Sequence, residues 1–439
     1  MFSTLKAKSP QSDDIPFEDL GKAASTNLPV LHIDIIYHIL EHAYFNDYLR
    51  PDYKQLCSYA LVARAWRKPA QGLIFHEVVI KTDAAYKALS SIFKGKQSEY
   101  TQKLASCVRV LNFWISKTDK ASAAKWESRL APILNWFPSL YELRLGVDVL
   151  DRLSPATMSA LNNTPPIRAL QIAMRSDETG RQAAQSVLPF QILGVTAWKL
   201  EFLVMRGDVF RFTGYTEFPA VTHQLVEFRW SINSPAPNAG VDDAITYVTA
   251  NSLKTLEVLH VPSGTHPVVS KVVPTLHSLK VISRDGIPKK LKNLKELIIA
   301  DSGDLPTDVA FYEALPPHIV HLGILSSKPD YSATHQAMAI GLDHKLPSKL
   351  QILSVYHDKT GYAPPTFKNE EFVLKGSGVL VRYHTGKESA MIAMRSDLVK
   401  STVYPRGVSV ENMRLMGRIG GTGETRAPPT KSSIFSKIL

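Results

Sequence analysis

The sequence predicts an α/β chain in two parts, a small all-helical module near the N-terminus and a long series of strand-and-return units behind it. Two observations carry that reading: apolar residues recur at helical spacing between Leu31 and Ile80, and ten windows of the form apolar-x-x-apolar-x-apolar follow between Val108 and Val355. A third, polar ends with scattered Gly and Pro, sets the outer limits of the folded part.

Residues 1–27 are polar, carry Pro10 and Pro16 and show no sustained period, which predicts a flexible lead. From Ile33 the pattern changes. Ile35, Ile36, Ile39, Leu40 and Ala43 share helical spacing, with Asp34 at the start and Asn46 and Pro51 at the exit. Leu56, Tyr59, Ala60, Val62, Ala63 and Trp66 predict a second helix, and Pro69 allows a third to begin. Three short helices bury little by themselves, so this module, 28–80, needs a partner surface.

The windows of 81–385 begin at Val108, Leu140, Ile167, Leu200, Leu225, Leu253, Leu276, Leu294, Ile319 and Leu350. Their third apolar positions are Phe113, Leu145, Ile172, Met205, Trp230, Val258, Val281, Ile299, Ile324 and Val355, which gives a repeat of uneven length. Each window supplies a short strand with alternate residues in a shared core, and the returning segment covers it. Helical returns are expected over Ala121–Trp136, Asp242–Thr249 and Asp308–Leu315, and prolines such as Pro138, Pro165, Pro166, Pro274 and Pro316 stand just before strands. A unit of this kind cannot bury its apolar edge alone, so neighbours must stack. The remainder, 386–439, is basic and partly disordered: Glu388–Tyr404 is apolar enough to pack, whereas Gly417–Ser433 is rich in Gly, Thr and Pro.

Composition narrows the function. A 44% hydrophobic content over 439 residues is ample for a folded core and excludes a disordered chain. The net charge of +11 is uneven, with nine Lys or Arg against four Asp or Glu after Gly386. Elsewhere Lys and Arg are spread singly, which reads as a solubilising surface, so neither nucleic acid nor a membrane is expected as a partner. Cys57 and Cys107 cannot form a disulfide framework; both have apolar neighbours and read as reduced, buried thiols of a cytoplasmic or nuclear protein. The first residues lack the apolar run of a secretory signal, and Gln182–Trp198, the nearest approach to a span, is interrupted by Pro189 and Gly194.

The segment Leu31–Ile80 resembles an F-box, the helical module that joins a protein to a cullin-based ubiquitin ligase through a Skp-family adaptor. The family pattern opens on Leu-Pro, then an acidic residue before Ile and an apolar helix. Two registers fit, from Leu28-Pro29 or from Leu31-His32; the second places Asp34-Ile35 on the acidic–apolar step, with His32 where Pro is expected. Leu56, Cys57, Ala60, Leu61, Val62, Arg64, Trp66, Arg67, Ala70, Leu73, Phe75 and Val78 then follow in the order of the large fungal F-box group. The windows look like a leucine-rich-repeat solenoid, without the Asn or Cys that ties down the turn in most units of that family. The resemblance implies that Leu31, Asp34, Ile35, Ile39, Leu61 and Val62 contact the Skp-family adaptor, and through it a cullin. It implies Leu40, Leu56, Trp66, Leu73 and Phe75 as F-box core, with Trp66, Leu73 and Phe75 also docking the module onto the first repeat.

Catalytic signals are sparse. His38-Ile39-Leu40-Glu41-His42 matches an inverted zinc-peptidase string, but Ile39 and Leu40 fit the helical core and no third ligand is evident, so no metal site is assigned. No phosphate loop or Ser nucleophile elbow is present, which points away from an enzyme and from a cofactor. On stacked repeats the residues flanking the core pair face a shared inner surface. Arg144, Arg206, Arg229 and Glu257 make it polar early, and Leu259, Ile282, Ile298, Leu325, Ile352 and Tyr356 make it apolar later. That apolar stripe is the candidate surface for an unknown protein substrate, unless Met391–Val403 folds over it or its residues belong to the core. The expected function is substrate selection for a Skp, cullin and F-box type ubiquitin ligase, acting by proximity. The alternative is a repeat-based protein-binding scaffold without a ligase.

Overall fold

The computed structural model describes residues 31–43, 52–95, 98–115, 120–147, 152–174, 184–185, 187–207, 210–211, 217–218, 220–232, 240–283, 287, 290–300, 309–326, 346–357, 371–373 and 378–385. The lead 1–27, Asn46, Pro51 and the tail 386–439 lie outside them.

Three helices open the chain: α1 (Ile33–Ala43), α2 (Tyr53–Val62) and α3 (Arg64–Ile74). Asp52 caps α2 by accepting from the Gln55 N–H at 3.0 Å. The break before α3 falls at Ala63, whose backbone is extended (φ −159°, ψ 162°), and not at Pro69, which lies inside α3. A proline there forgoes one helical hydrogen bond, but the ring is buried beside Ala70 and Leu73. Ile36, Leu40, Leu56, Ala70 and Leu73 form a small core of their own, with Tyr59, Ala60, Trp66 and Ile74 packed against it. Cys57 faces outward, contrary to expectation, and Cys107 is half-buried: α2 turns Leu56 inward, and the next residue on a helix points about 100° away.

A mixed α/β body follows. Its elements are β1 (Glu77–Ile80), α4 (Asp83–Phe93), α5 (Glu99–Cys107), β2 (Val110–Ile115), α6 (Lys120–Trp136), β3 (Glu142–Val147), α7 (Pro155–Leu161), β4 (Ala169–Met174), β5 (Ala184–Gln185), α8 (Leu188–Leu193), β6 (Phe202–Gly207), β7 (Phe210–Arg211), β8 (Glu227–Ile232), α9 (Val241–Thr249), β9 (Val258–Ser263), α10 (Pro267–Lys271), β10 (Ser278–Ser283), β11 (Glu296–Ile299), α11 (Val309–Ala314), β12 (His321–Ser326), β13 (Ile352–His357), β14 (Glu371–Val373) and β15 (Leu380–Thr385). The three expected returns correspond to α6, α9 and α11. Thirteen strands make one sheet in the order β1-β2-β3-β4-β6-β8-β9-β10-β11-β12-β13-β15-β14; β5 and β7 pair separately. All pairs in the large sheet are parallel except β14 with β15, which turns back on the last edge. β1 belongs to this sheet although it lies within 28–80.

Ten strands, β2–β4, β6 and β8–β13, start in the same way. The carbonyl of the residue before one strand accepts two N–H groups, from the residue before the next strand and from that strand's first residue. His76 O accepts from Arg109 and Val110, Arg109 O from Tyr141 and Glu142, and the pattern continues through Val320 O, which accepts from Gln351 and Ile352, at 2.8–3.1 Å. The starts are thereby aligned, and so are the side chains. Val78, Leu111, Leu143, Leu170, Leu203, Phe228, Leu259, Leu279, Leu297, Leu322 and Leu353 stand in one register row. All belong to one core with Trp126, Leu130 and Leu134 of α6, Ala244, Ile245 and Val248 of α9, and Val268 and Val269 of α10. The returns therefore cover this face.

The register corrects one window. Val261, not Val258, pairs with Val281, so the unit begins at Leu256 and not at Leu253. A displacement by three residues is odd, and on a strand of period two an odd displacement exchanges the faces. Leu259 is consequently core, fully buried on the helix side, and is withdrawn from the substrate surface. The pattern misled because Leu253, Leu256 and Val258 satisfy the same template three residues early.

The ladder should dominate stability. Leu297→Ala should cost about 2–5 kcal/mol in urea unfolding, whereas Ile282→Ala, at a side chain 46% exposed, should cost under about 1 kcal/mol. Equal losses would contradict the register.

Candidate functional site

The helical module sorts its apolar residues by face. On α1, Ile36 and Leu40 are four residues apart and point into the small core, while Ile35 and Ile39, also four apart, point outward. Leu31, Ile33, Ile35 and Ile39 are exposed, and Leu61 and Val62 at the end of α2 are more so, at 87% and 63%. Of the residues expected to form the F-box core, Leu40, Leu56 and Leu73 are buried, Trp66 packs on that core with its ring stacked 5.6 Å from Tyr59, and Phe75 packs against the larger core of the sheet. Of those expected at an adaptor surface, Leu31, Asp34, Ile35, Ile39, Leu61 and Val62 are all exposed. His32 stands at the start of α1, where the F-box resemblance leads one to expect proline: its carbonyl accepts from Ile35 and Ile36, and its Nδ1 lies 3.2 Å from Asp34 Oδ2.

At the joint, Gly72 of α3 faces Cys107 of α5, where a Cβ would stand 3.7 Å from Sγ. Tyr53 donates to Glu77 O at 3.4 Å; burial, then the Glu77 charge, pushes its phenol up to about 12. The side chains of His38, Glu41 and His42 lie outside the described residues, among which no group of three His, Cys, Asp or Glu could hold a metal.

The sheet face opposite the helices carries three rows. Val258 on β9 and Ile352 on β13 share one apolar cluster although three strands separate them. On a flat sheet four spacings of about 4.8 Å would hold them roughly 19 Å apart. The sheet is therefore curled with this face inside. Its first row contains Glu77, Glu142, Glu227, Val258, Ser278, Glu296, His321 and Ile352; its second contains Arg144, Arg229, His260, Lys280, Ile298 and Ser354. Arg144 joins Glu142 (2.7 Å) and Glu77 (3.1 Å), and Arg229 joins Glu227 (2.6 Å).

Four strands meet in a relay. Glu296 Oε1 contacts His321 Nδ1 at 3.0 Å, His321 Nε2 contacts Ser354 Oγ at 2.8 Å, and Ser278 donates to Glu296 Oε2 at 2.5 Å. Carboxylate, imidazole and hydroxyl stand in the order of an acyl-transfer triad. Ser354, however, is 2% exposed, in a strand paired on both sides, so a substrate carbonyl has no approach to it. The relay ties β10 to β13.

This geometry also revises the expected substrate surface. Ile298 and Ile352 face inward but are buried, at 6% and 5%; Ile282 is exposed. Leu325 and Tyr356 are a cross-strand pair, and their side chains, like Met391–Val403, lie outside the described residues. Arg229 is sealed as well, and Glu257 stands in the turn before β9, in a groove with Lys254, Thr255 and His277. The sequence pattern gave no sign of the relay, because its members are 18, 25 and 33 residues apart in uneven units.

A search of protein-family models finds none that matches the chain, and no curated protein sequence matches it. No helix of the described residues is long and apolar enough to cross a membrane.

Five buried groups of the body act in one direction. Burial lowers His223, His260 and His266, with Arg229 and Lys280 adding to the effect at His260. Lys280 is lowered to about 7 by burial, then by Arg229 and Arg206. Burial alone would raise Glu296, but the His321 hydrogen bond and charge, then Ser278 and Arg229, hold it below the usual carboxylate range. For all five the unfolded chain binds protons more readily than the folded one. Stability must then fall as pH drops: across about 10.5 to 7 for Lys280, below about 6.5 for the histidines and below about 4.5 for Glu296. The urea midpoint should be lower at pH 5.5 than at pH 8, and His260→Gln should flatten the dependence; a midpoint that rises on acidification would contradict this.

Proposed function

We propose that this protein is a substrate-recognition adaptor of a Skp, cullin and F-box type ubiquitin ligase, with an F-box over 28–80 and irregular leucine-rich repeats over 81–385. One observation supports this most: the module divides its apolar residues into a buried set, Ile36, Leu40, Leu56, Ala70 and Leu73, and an exposed set, Leu31, Ile35, Ile39, Leu61 and Val62. Apolar side chains spared from a module's own core are a large free surface for its size, and such patches mark protein interaction sites. These are the positions at which the F-box resemblance implies adaptor contact. The parallel sheet, one strand per return, agrees with stacked repeats that hold a target. In this role the protein supplies proximity and no side-chain chemistry, works without a cofactor, and resides in the cytoplasm or nucleus.

Capture of a Skp-family protein by the full-length chain tests the reading. Ile35→Asp combined with Leu61→Asp should abolish capture and cost under about 1 kcal/mol of stability, because the two side chains are 46% and 87% exposed. Failure of the unaltered chain to capture a Skp-family protein would favour the scaffold without a ligase.

A further inference from the structure

We infer that the turns leading into β9, β10 and β11 bind an acidic polypeptide segment. The inference rests on the adaptor reading for the owner of that segment, a recruited substrate; the surface itself rests on geometry. The carbonyl ladder that aligns the strand starts also aligns the turns before them. Glu257, His277 and Lys295 immediately precede β9, β10 and β11; His277 N–H donates to Glu257 O at 2.8 Å, and Lys295 N–H to His277 O at 2.9 Å. Three residues earlier, Lys254, Pro274 and Lys292 occupy equivalent positions.

Lysines that stand apart along the chain are thereby gathered on one edge of the sheet. Residues 250–257, 271–277 and 290–295 hold five, Lys254, Lys271, Lys290, Lys292 and Lys295, against one acidic residue, Glu257. All five are exposed. Among the described residues none of them makes an ion pair, whereas Glu257 Oε2 lies 3.8 Å from His277 Nδ1. The backbone beneath is held: Thr255 Oγ1 donates to Leu225 O at 2.8 Å and Asn293 Nδ2 to Pro274 O at 2.5 Å, each tying a turn to the one before it. A groove of about 450 Å³ crosses these turns, lined by Val226, Lys254, Glu257, Pro274 and His277 among others.

The residue types select the ligand. A lysine ammonium is a compact charge on a flexible stem, suited to carboxylates whose spacing varies, whereas phosphate recognition favours the bidentate fork of Arg, which these turns lack. They also hold no Phe, Tyr or Trp on which successive bases could stack. None of the large exposed apolar side chains of the described residues lies there to enter a bilayer. An acidic polypeptide matches what remains. Val226 and Pro274 give the groove an apolar lining for one aliphatic side chain of the segment, and the Glu257 carboxylate turns the segment's own carboxylates outward onto the surrounding lysines.

Anisotropy titration of the full-length chain with a fluorescein-labelled nonapeptide, Val flanked by four Glu on each side, tests the inference. Saturable binding is expected, weakening as salt is raised. Lys254→Glu, Lys292→Glu and Lys295→Glu together should weaken it by at least about tenfold. A second nonapeptide with Lys in place of Glu should bind that variant and not the unaltered chain, a gain that misfolding could not produce. Lys87→Glu, Lys94→Glu and Lys125→Glu together, at exposed positions elsewhere, change the net charge equally and should leave the affinity within about twofold, because distant charges are screened. The inference is overturned if the acidic peptide does not saturate, if both triple variants weaken it alike, or if a uridine-rich RNA or phosphatidylserine vesicles displace it at equal concentration of charge. Skp-family capture from the same samples separates the two readings. Peptide binding without capture sinks the adaptor reading alone, and capture without peptide binding sinks this one alone.

Discussion

One backbone arrangement governs this molecule: a carbonyl at the head of each strand accepts the two N–H groups that open the next, from His76 to Val320. Being made of main chain, it asks nothing of the side chains at the turn, which explains how the repeat persists without the Asn or Cys that regular leucine-rich repeats place there. It fixes the starts of ten strands, and a fixed start on a structure of period two fixes which residues face which side. Local side chains reinforce it where the sequence allows. Asn162 Oδ1 accepts from Thr196 N–H at 2.9 Å, Asn251 Nδ2 donates to Thr222 O at 2.7 Å, and His223 Nε2 lies 2.9 Å from Leu193 O. These contacts link one return to the next and let the return lengths vary while the strands stay aligned.

Alignment has two consequences. On the helix side it stacks one apolar residue per strand into a continuous row, and that row holds the body together. On the other side it stacks polar residues, and curling brings them close enough that Arg206 and Arg229 act on Lys280. The buried inner face accommodates this charge by pairing Glu227 with Arg229 and Glu296 with His321, and by lowering the Lys280 pKa to about 7. Removing one partner of such a pair leaves an uncompensated buried charge, so this half of the face has little freedom to serve as a docking surface. Among the described residues, the outward side of the first two helices keeps apolar side chains exposed.

Much of this was legible in the sequence, for identifiable reasons. The helical module was readable because α1 carries Ile36 and Leu40 on one face and Ile35 and Ile39 on another, a pattern that depends only on local geometry. Nine of the ten windows name the residues that share the core row, since a strand's alternation is local too. The window at Leu253 failed because two overlapping apolar templates compete there, and only pairing with β10 decides between them. A curve was implied by the solenoid resemblance, but how tightly the sheet closes was not legible. It depends on the sum of many small rotations between strands, and it turned Ile298 and Ile352 from an expected open surface into a closed one. The approach of Trp114 to Gly146 was missed for a related reason: the two are 32 residues apart, and neither shows alone that the ring lies on the glycine.

We propose that the outward side of α1 and α2 meets a Skp-family partner while the strands of the sheet take no part in that contact. Hydrogen–deuterium exchange of the full-length chain, with and without a Skp-family protein, tests this most directly. Protection is expected over residues 31–43 and 53–62, with the rates of β2–β13 unchanged. Unaltered exchange in the helices, or protection spread across the strands instead, would contradict it.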